Sequence, residues 1–138
     1  RQIMVRIEQR TLDHLVETYH QRRTLQTRQL VWNELASMTT LYFVQCGSRT
    51  SSVPWVVFEK ESPIAMVFTD RDRALAAAKA IVEDDSELRV VGLPTNAASM
   101  YISALAAQGV AMVCFNHGPK RFDAPVDEVL LAMKSMKR

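Results

Sequence analysis

The chain has 138 residues, 48% apolar and 23% charged, which is one ordinary domain's worth of sequence and enough to bury a core without disulfides or metal. Those fractions exclude a disordered, collagenous or coiled-coil architecture. Seventeen basic residues against fifteen acidic ones leave +2, which makes no electrostatic case for nucleic acid or a membrane.

The first Gly is Gly47 and the first Pro is Pro54, so residues 1–46 carry no strong breaker. Leu12, Leu15, Val16 and Tyr19 share one helical face, and Leu25, Trp32, Leu35 and Ala36 form a second, less regular stripe. Residues 20–29 between them are polar on nearly every face. The pattern predicts a helical arm over about residues 6–38, as one long helix or two with a polar joint.

From Thr40 the signal changes. Leu41-Tyr42-Phe43-Val44-Gln45-Cys46 is aromatic and β-branched, as strands are. Residues 47–52 read as a loop. Trp55-Val56-Val57-Phe58 and Ile64-Ala65-Met66-Val67-Phe68 read as an antiparallel hairpin. A helix over 70–82, a strand over 88–93, a helix over 95–108 with Gly109 as its cap, and a strand over 110–115 follow. Residues 116–124 read as a polar loop, and 125–136 as a last helix with Asp127 and Glu128 at its positive end. The expected fold is α/β: a mixed sheet in β-β-β-α-β-α-β-α order, preceded by the arm. The arm covers residues 1–39 and the α/β domain 40–138. The apolar strands 64–68, 88–93 and 110–115 are expected to be parallel and covered on both faces.

No apolar run reaches the roughly 18–20 residues that a membrane span needs. The chain starts at Arg1 rather than Met, which points to a trimmed chain or a fragment. Seven Met and two unpaired Cys point to a reducing, cytoplasmic compartment.

Three stretches resemble one family. Pro63-Ile64-Ala65-Met66-Val67-Phe68-Thr69-Asp70, running into an alanine-rich helix, is similar to the family's strand ending in Phe-Thr-Ser or Phe-Thr-Asp. Val90-Val91-Gly92-Leu93 matches its short central strand. Gly109-Val110-Ala111-Met112-Val113-Cys114-Phe115-Asn116, with Gly118 close behind, resembles its Gly-x-x-x-x-x-Asn-Pro-Gly ending, although His117 stands where the Pro would be. The family is the SseB-like N-terminal domain, named for a bacterial protein of enhanced serine sensitivity. The resemblance covers about residues 40–138 and omits the arm. It implies an α/β fold and a bacterial origin, and it implies no catalytic residues.

The chemistry-bearing residues gather where strands meet the following segments. Thr69, Asp70 and Arg71 follow one strand, Thr95 and Asn96 a second, and Asn116, His117, Lys120 and Arg121 a third. In open parallel sheets ligands collect at such ends, and helix N-termini offer N–H groups to an anion. One shallow basic pocket, with Lys120 and Arg121 beside the Asp70 and Thr95 helix starts, would bind phosphate or a carboxylate at millimolar strength, worth about −4 kcal/mol. The plainer expectation is that Thr69 and Thr95 cap helices, Asp70 complements a helix dipole and Asn116 is a turn residue.

Nothing else rises above structure. Cys114 and His117 lie three apart and point to opposite faces of a strand, so Cys114 is expected in the core. His14 and His20 are six apart, not the four of a helical metal pair. The four glycines compose neither a P-loop nor a dinucleotide fingerprint. No cofactor or metal is therefore expected. The leading expectation is a non-enzymatic protein-interaction domain using the arm or the strand-end face. The alternative is an enzyme-like or small-anion site at the strand-end loops, and a weaker third is nucleic acid contact through Arg22, Arg23 and Arg28. The arm is expected either to pack on the sheet or to pair with a second copy through Leu12, Leu15, Val16 and Tyr19, giving a two-fold homodimer.

Overall fold

A computed structural model describes residues 2–47, 52–81 and 87–136. The helical arm is two helices, α1 (Gln2–Gln21) and α2 (Leu25–Ala36). Thr24 sets the break. Its hydroxyl accepts from the Thr27 N–H at 3.1 Å while its own N–H donates to Thr27 Oγ1 at 3.1 Å, a reciprocal box that starts α2. Leu25, the first residue of α2, is 87% exposed, and the buried stripe is Val31, Trp32 and Leu35.

Among the described residues seven strands and three further helices follow: β1 (Thr40–Gly47), β2 (Ser52–Pro54), β3 (Val56–Glu59), β4 (Ser62–Val67), α3 (Arg71–Ile81), β5 (Leu88–Pro94), α4 (Thr95–Ala107), β6 (Met112–Phe115), β7 (Phe122–Pro125) and α5 (Val126–Met136). The α/β class with a mixed sheet stands. Two elements were not expected. Ser52 falls inside β2, which pairs antiparallel with β1. The supposed polar loop contains β7, which pairs antiparallel with β6. The β3–β4 hairpin turns on Lys60 and Glu61, both left-handed at φ 50° and 67°, the pattern of a two-residue I′ turn.

The strand order corrects the parallel arrangement. Among the described strands only β4 and β6 are parallel neighbours. β5 pairs antiparallel with β1 from Thr40↔Pro94 to Cys46↔Leu88. On its other side β1 meets the end of β4, where Tyr42 and Phe68 exchange N–H···O bonds of 2.8 and 2.9 Å. β4, β5 and β6 therefore run the same way, but β1 lies between β5 and β4 and runs against them. The segment 52–59 changes partner at Trp55: β2 lies on β1, and β3 lies on β4.

Alternation along the strands builds two cores. Leu41, Phe43, Ala65, Val67, Val113 and Phe115 face α1, α2, α4 and α5. Val44, Ile64, Met66, Phe68 and Cys114 face α3 with its Ala74 and Ala78. Leu12, Val16 and Tyr19 of the arm belong to the first core, and Leu15 packs against it. The arm is thus packed on the α/β part, and residue 39 marks a change of secondary structure rather than an edge of the core. A homodimer through this stripe would require the core to open.

α4 ends as the sequence suggests. Gly109 sits at φ 107°, its N–H bonds to the Ala106 carbonyl at 3.0 Å, and the Val110 N–H reaches the Leu105 carbonyl at 3.1 Å. This is a Schellman arrangement, for which glycine is the favoured residue.

Candidate functional site

The parallel ends of β4 and β6 are closed by Thr69 and Asn116, the two buried polar residues among those described. The Asn116 N–H continues the ladder to the Val67 carbonyl at 2.8 Å. Its side-chain oxygen accepts from the Thr69 N–H at 3.0 Å, and its amide donates to the Thr69 hydroxyl at 3.0 Å. Asn116 adopts φ 56°, a conformation that asparagine tolerates better than most residues. Both residues hold strand ends together, so Thr69 is not a helix cap. That role falls to Asp70, whose carboxylate accepts from the Arg73 N–H at 2.7 Å. At α4 the cap position is Pro94, with no side-chain cap bond, so Thr95 caps nothing.

Between α3 and the 116–120 segment lies an open cavity of about 440 Å³. Ala76, Ala77 and Ala80 form its apolar wall, while Arg73, Asn116, His117 and Lys120 supply polar groups. The structure thus brings Asn116, His117 and Lys120 together, with Arg73 as a neighbour that the sequence did not single out. Thr95, Asn96, Arg71 and Arg121 do not line it. Arg71 instead donates to the Val90 carbonyl at 3.3 Å, with its guanidinium 5.8 Å from the Tyr42 ring centre.

The cations at this edge have partners within the chain. Arg73 bonds Asp13 at 2.6 Å and lies 3.4 Å from Asp70. Lys120 bonds Glu17 at 2.5 Å, and that bond holds the Glu17 carboxyl below its ordinary range. Arg121 grips Glu59 with bonds of 2.8 and 3.2 Å and reaches Asp123 at 3.0 Å. The hydrogen bonds from Arg121 lower Glu59 in turn. Lys120 and Arg121 therefore point to different partners and do not share one basic pocket. Asp13 and Glu17, one helical turn apart on α1, place the arm beside the strand-end crevice. His20 extends the contact: the Arg121 carbonyl can only accept, so His20 Nε2 donates to it at 2.7 Å, leaving Nδ1 to accept from Arg23 at 3.1 Å.

A second polar cluster binds the arm to the last helix. Arg28 donates two 2.7 Å bonds to Glu128 and one of 2.8 Å to the Tyr19 hydroxyl, and its guanidinium lies 4.8 Å from the Phe122 ring centre. The Trp32 N–H adds a 2.6 Å bond to Glu128. Arg28 is thereby committed to structure and is not available to nucleic acid, which leaves Arg22 and Arg23 of the Arg22, Arg23 and Arg28 set. Arg22 and Arg23 remain exposed.

Cys114 lies wholly inside the α3-side core, and burial pushes its thiol strongly upward, away from the reactive thiolate. Among the described residues no group of His, Cys, Asp and Glu is placed to hold a metal ion, and no helix is long and apolar enough to cross a membrane. No protein-family model matches the chain, and a search of curated proteins finds no match.

Proposed function

We propose that the chain is a cytoplasmic bacterial α/β domain of the SseB-like kind that works by binding other proteins and not by catalysis. The observation that carries this reading is the state of the strand-end crevice. Where an open α/β fold would hold a small ligand, Arg73 and Lys120 are neutralised by Asp13 and Glu17 of the chain's own α1. An incoming anion meets Asp13, Glu17 and Asp70 at the same place, and their charges oppose it.

The test is a titration with inorganic phosphate followed by amide NMR. The expected result is no localised shift at residues 69–71, 73 or 116–121 up to about 10 mM, well above the millimolar affinity set for a weak site. A saturable shift confined to those residues would overturn the reading. It would favour the second one, a small-ligand site. That alternative rests on the cavity itself, whose lining includes His117 beside Asn116 and Lys120.

A further inference from the structure

Strand β5 has the composition of an interior strand and the position of an edge strand. Its sequence, Leu-Arg-Val-Val-Gly-Leu-Pro, carries one charge. Leu88 and Val90 pack toward the α3-side core, and Leu93 toward the other. A strand apolar on both faces is one covered on both faces, and such a strand left at a sheet edge is a ready template for pairing. Yet β5 ends its sheet, with β1 on one side and, among the described residues, no strand on the other.

The outward hydrogen-bonding groups can be read from the ladder. The Tyr42 N–H and C=O both turn away from β5 to Phe68, and the Val44 carbonyl turns away to Trp55. Gly92 and Val90, directly opposite them, therefore direct their own N–H and C=O groups to the open side. The protections usual at such an edge are thin here. Pro94 lacks an N–H but stands at the last position of the strand. Arg89, the one charge, is drawn back across its own sheet to Ser52 at 3.0 Å and Gln45 at 3.3 Å. Arg71 occupies one lone pair of the Val90 carbonyl and leaves the other.

We propose that this edge pairs with β5 of a second copy, joining the two sheets across a two-fold axis. The strand is self-complementary in an antiparallel register centred on Val91. Val90 then exchanges both backbone bonds with Gly92 of the second copy, and the reverse. The Pro94 carbonyl already accepts in the first turn of α4 and offers Leu88 only its second lone pair, and the missing Pro94 N–H costs one further bond per copy. Arg89 falls opposite Leu93, which sets the two Arg89 residues four steps apart, about 13 Å along the strand, and avoids like-charge contact. Of the two helices packed on β5, α3 carries charges of both signs and α4 none. α4 packs on β5 and has no charged residue from Thr95 to Ala107, although Asn96, Met100, Ser103, Ala104 and Ala107 are exposed and Met100 is 74% so. A neutral helix at this place sets no charge against its own copy. The inference rests on the protein-interaction reading and names its partner.

Sedimentation of the full chain from about 1 to 200 μM, together with amide hydrogen exchange, tests it. The expected result is a concentration-dependent dimer in which the Val90 and Gly92 amides are protected and lose that protection on dilution. The Val91 amide, which faces Phe43 within one copy, stays protected at both ends of the range. Val90→Pro removes an outward donor and is expected to weaken association at least about tenfold. Should that variant fail to fold, the exchange pattern of the native chain decides alone. A monomer at every concentration, or a dimer whose Val90 and Gly92 amides exchange freely, overturns the proposal. Either outcome leaves the phosphate titration standing, so the two readings fail separately.

Discussion

Asn116 and Thr69, 47 residues apart, form a buried hydrogen-bonded pair across the ends of β4 and β6. The pair depends on a left-handed backbone at Asn116 as well as on its amide. Asn116→Ala strands the Thr69 N–H and places alanine at positive φ, and we expect a loss of about 2–3 kcal/mol. Asn116→Gly keeps the backbone relaxed and should lose about 1 kcal/mol less. Urea denaturation of the two variants measures the difference. Equal losses would show that the conformation contributes nothing.

The Arg28 hydrogen bonds, with help from Trp32, hold the Glu128 carboxyl below its ordinary 4.5. A carboxylate whose folded value is lowered stabilises the protein fully above its unfolded value, and that contribution fades as pH falls through the folded value. Glu128→Gln should therefore cost about 1–2 kcal/mol at neutral pH, the modest size reflecting the partial exposure of both partners. The gap between variant and native protein should stay constant down to about pH 5 and close at lower pH. Thermal melts across that range check it. A gap that persists undiminished in acid rules out the ion pair as its cause.

Leu12 is 1% exposed in the shared core. Leu12→Ala should cost roughly 3 kcal/mol in one cooperative transition. An arm that folded apart from the sheet would instead give two transitions, or a loss well under 1 kcal/mol, in calorimetry.

The two thiols should separate cleanly. Cys114 is fully buried with its thiol pushed upward, whereas Cys46 is partly exposed. One equivalent of a thiol reagent should react with the native chain at Cys46, and the second only on unfolding. Rapid modification of Cys114 in the native state would contradict its placement.

The strands with continuous apolar runs, β1, β4 and β6, were legible because each presents one apolar set to each core. The α4 terminus was legible from Gly109. β7 was not: Phe122-Asp123-Ala124-Pro125 alternates over only four residues and follows a turn rich in charge. The position of β5 was hidden for a different reason. Its apolar residues report burial by helices on both faces, and nothing local reports which strand lies alongside. The strand-end residues were found, but their chemistry was misassigned because their partners are distant. Lys120 meets Glu17 across 103 residues and Arg121 meets Glu59 across 62, and no local pattern encodes either pair.

The place of β1 between β5 and β4 also sets a timetable for folding. β1 is the first strand of the chain, but its long partner, β5, begins at Leu88, and the Thr40↔Pro94 pair spans 54 residues (94 minus 40). Loop closure over such spans must precede the reward from pairing, which slows folding compared with a helical bundle of this size. During synthesis the apolar Leu41-Tyr42-Phe43-Val44 run leaves the ribosome with one side unpaired until β5 has been made. A chain cut before residue 88 would keep that side open, and its strand would be a template for aggregation rather than the centre of a sheet.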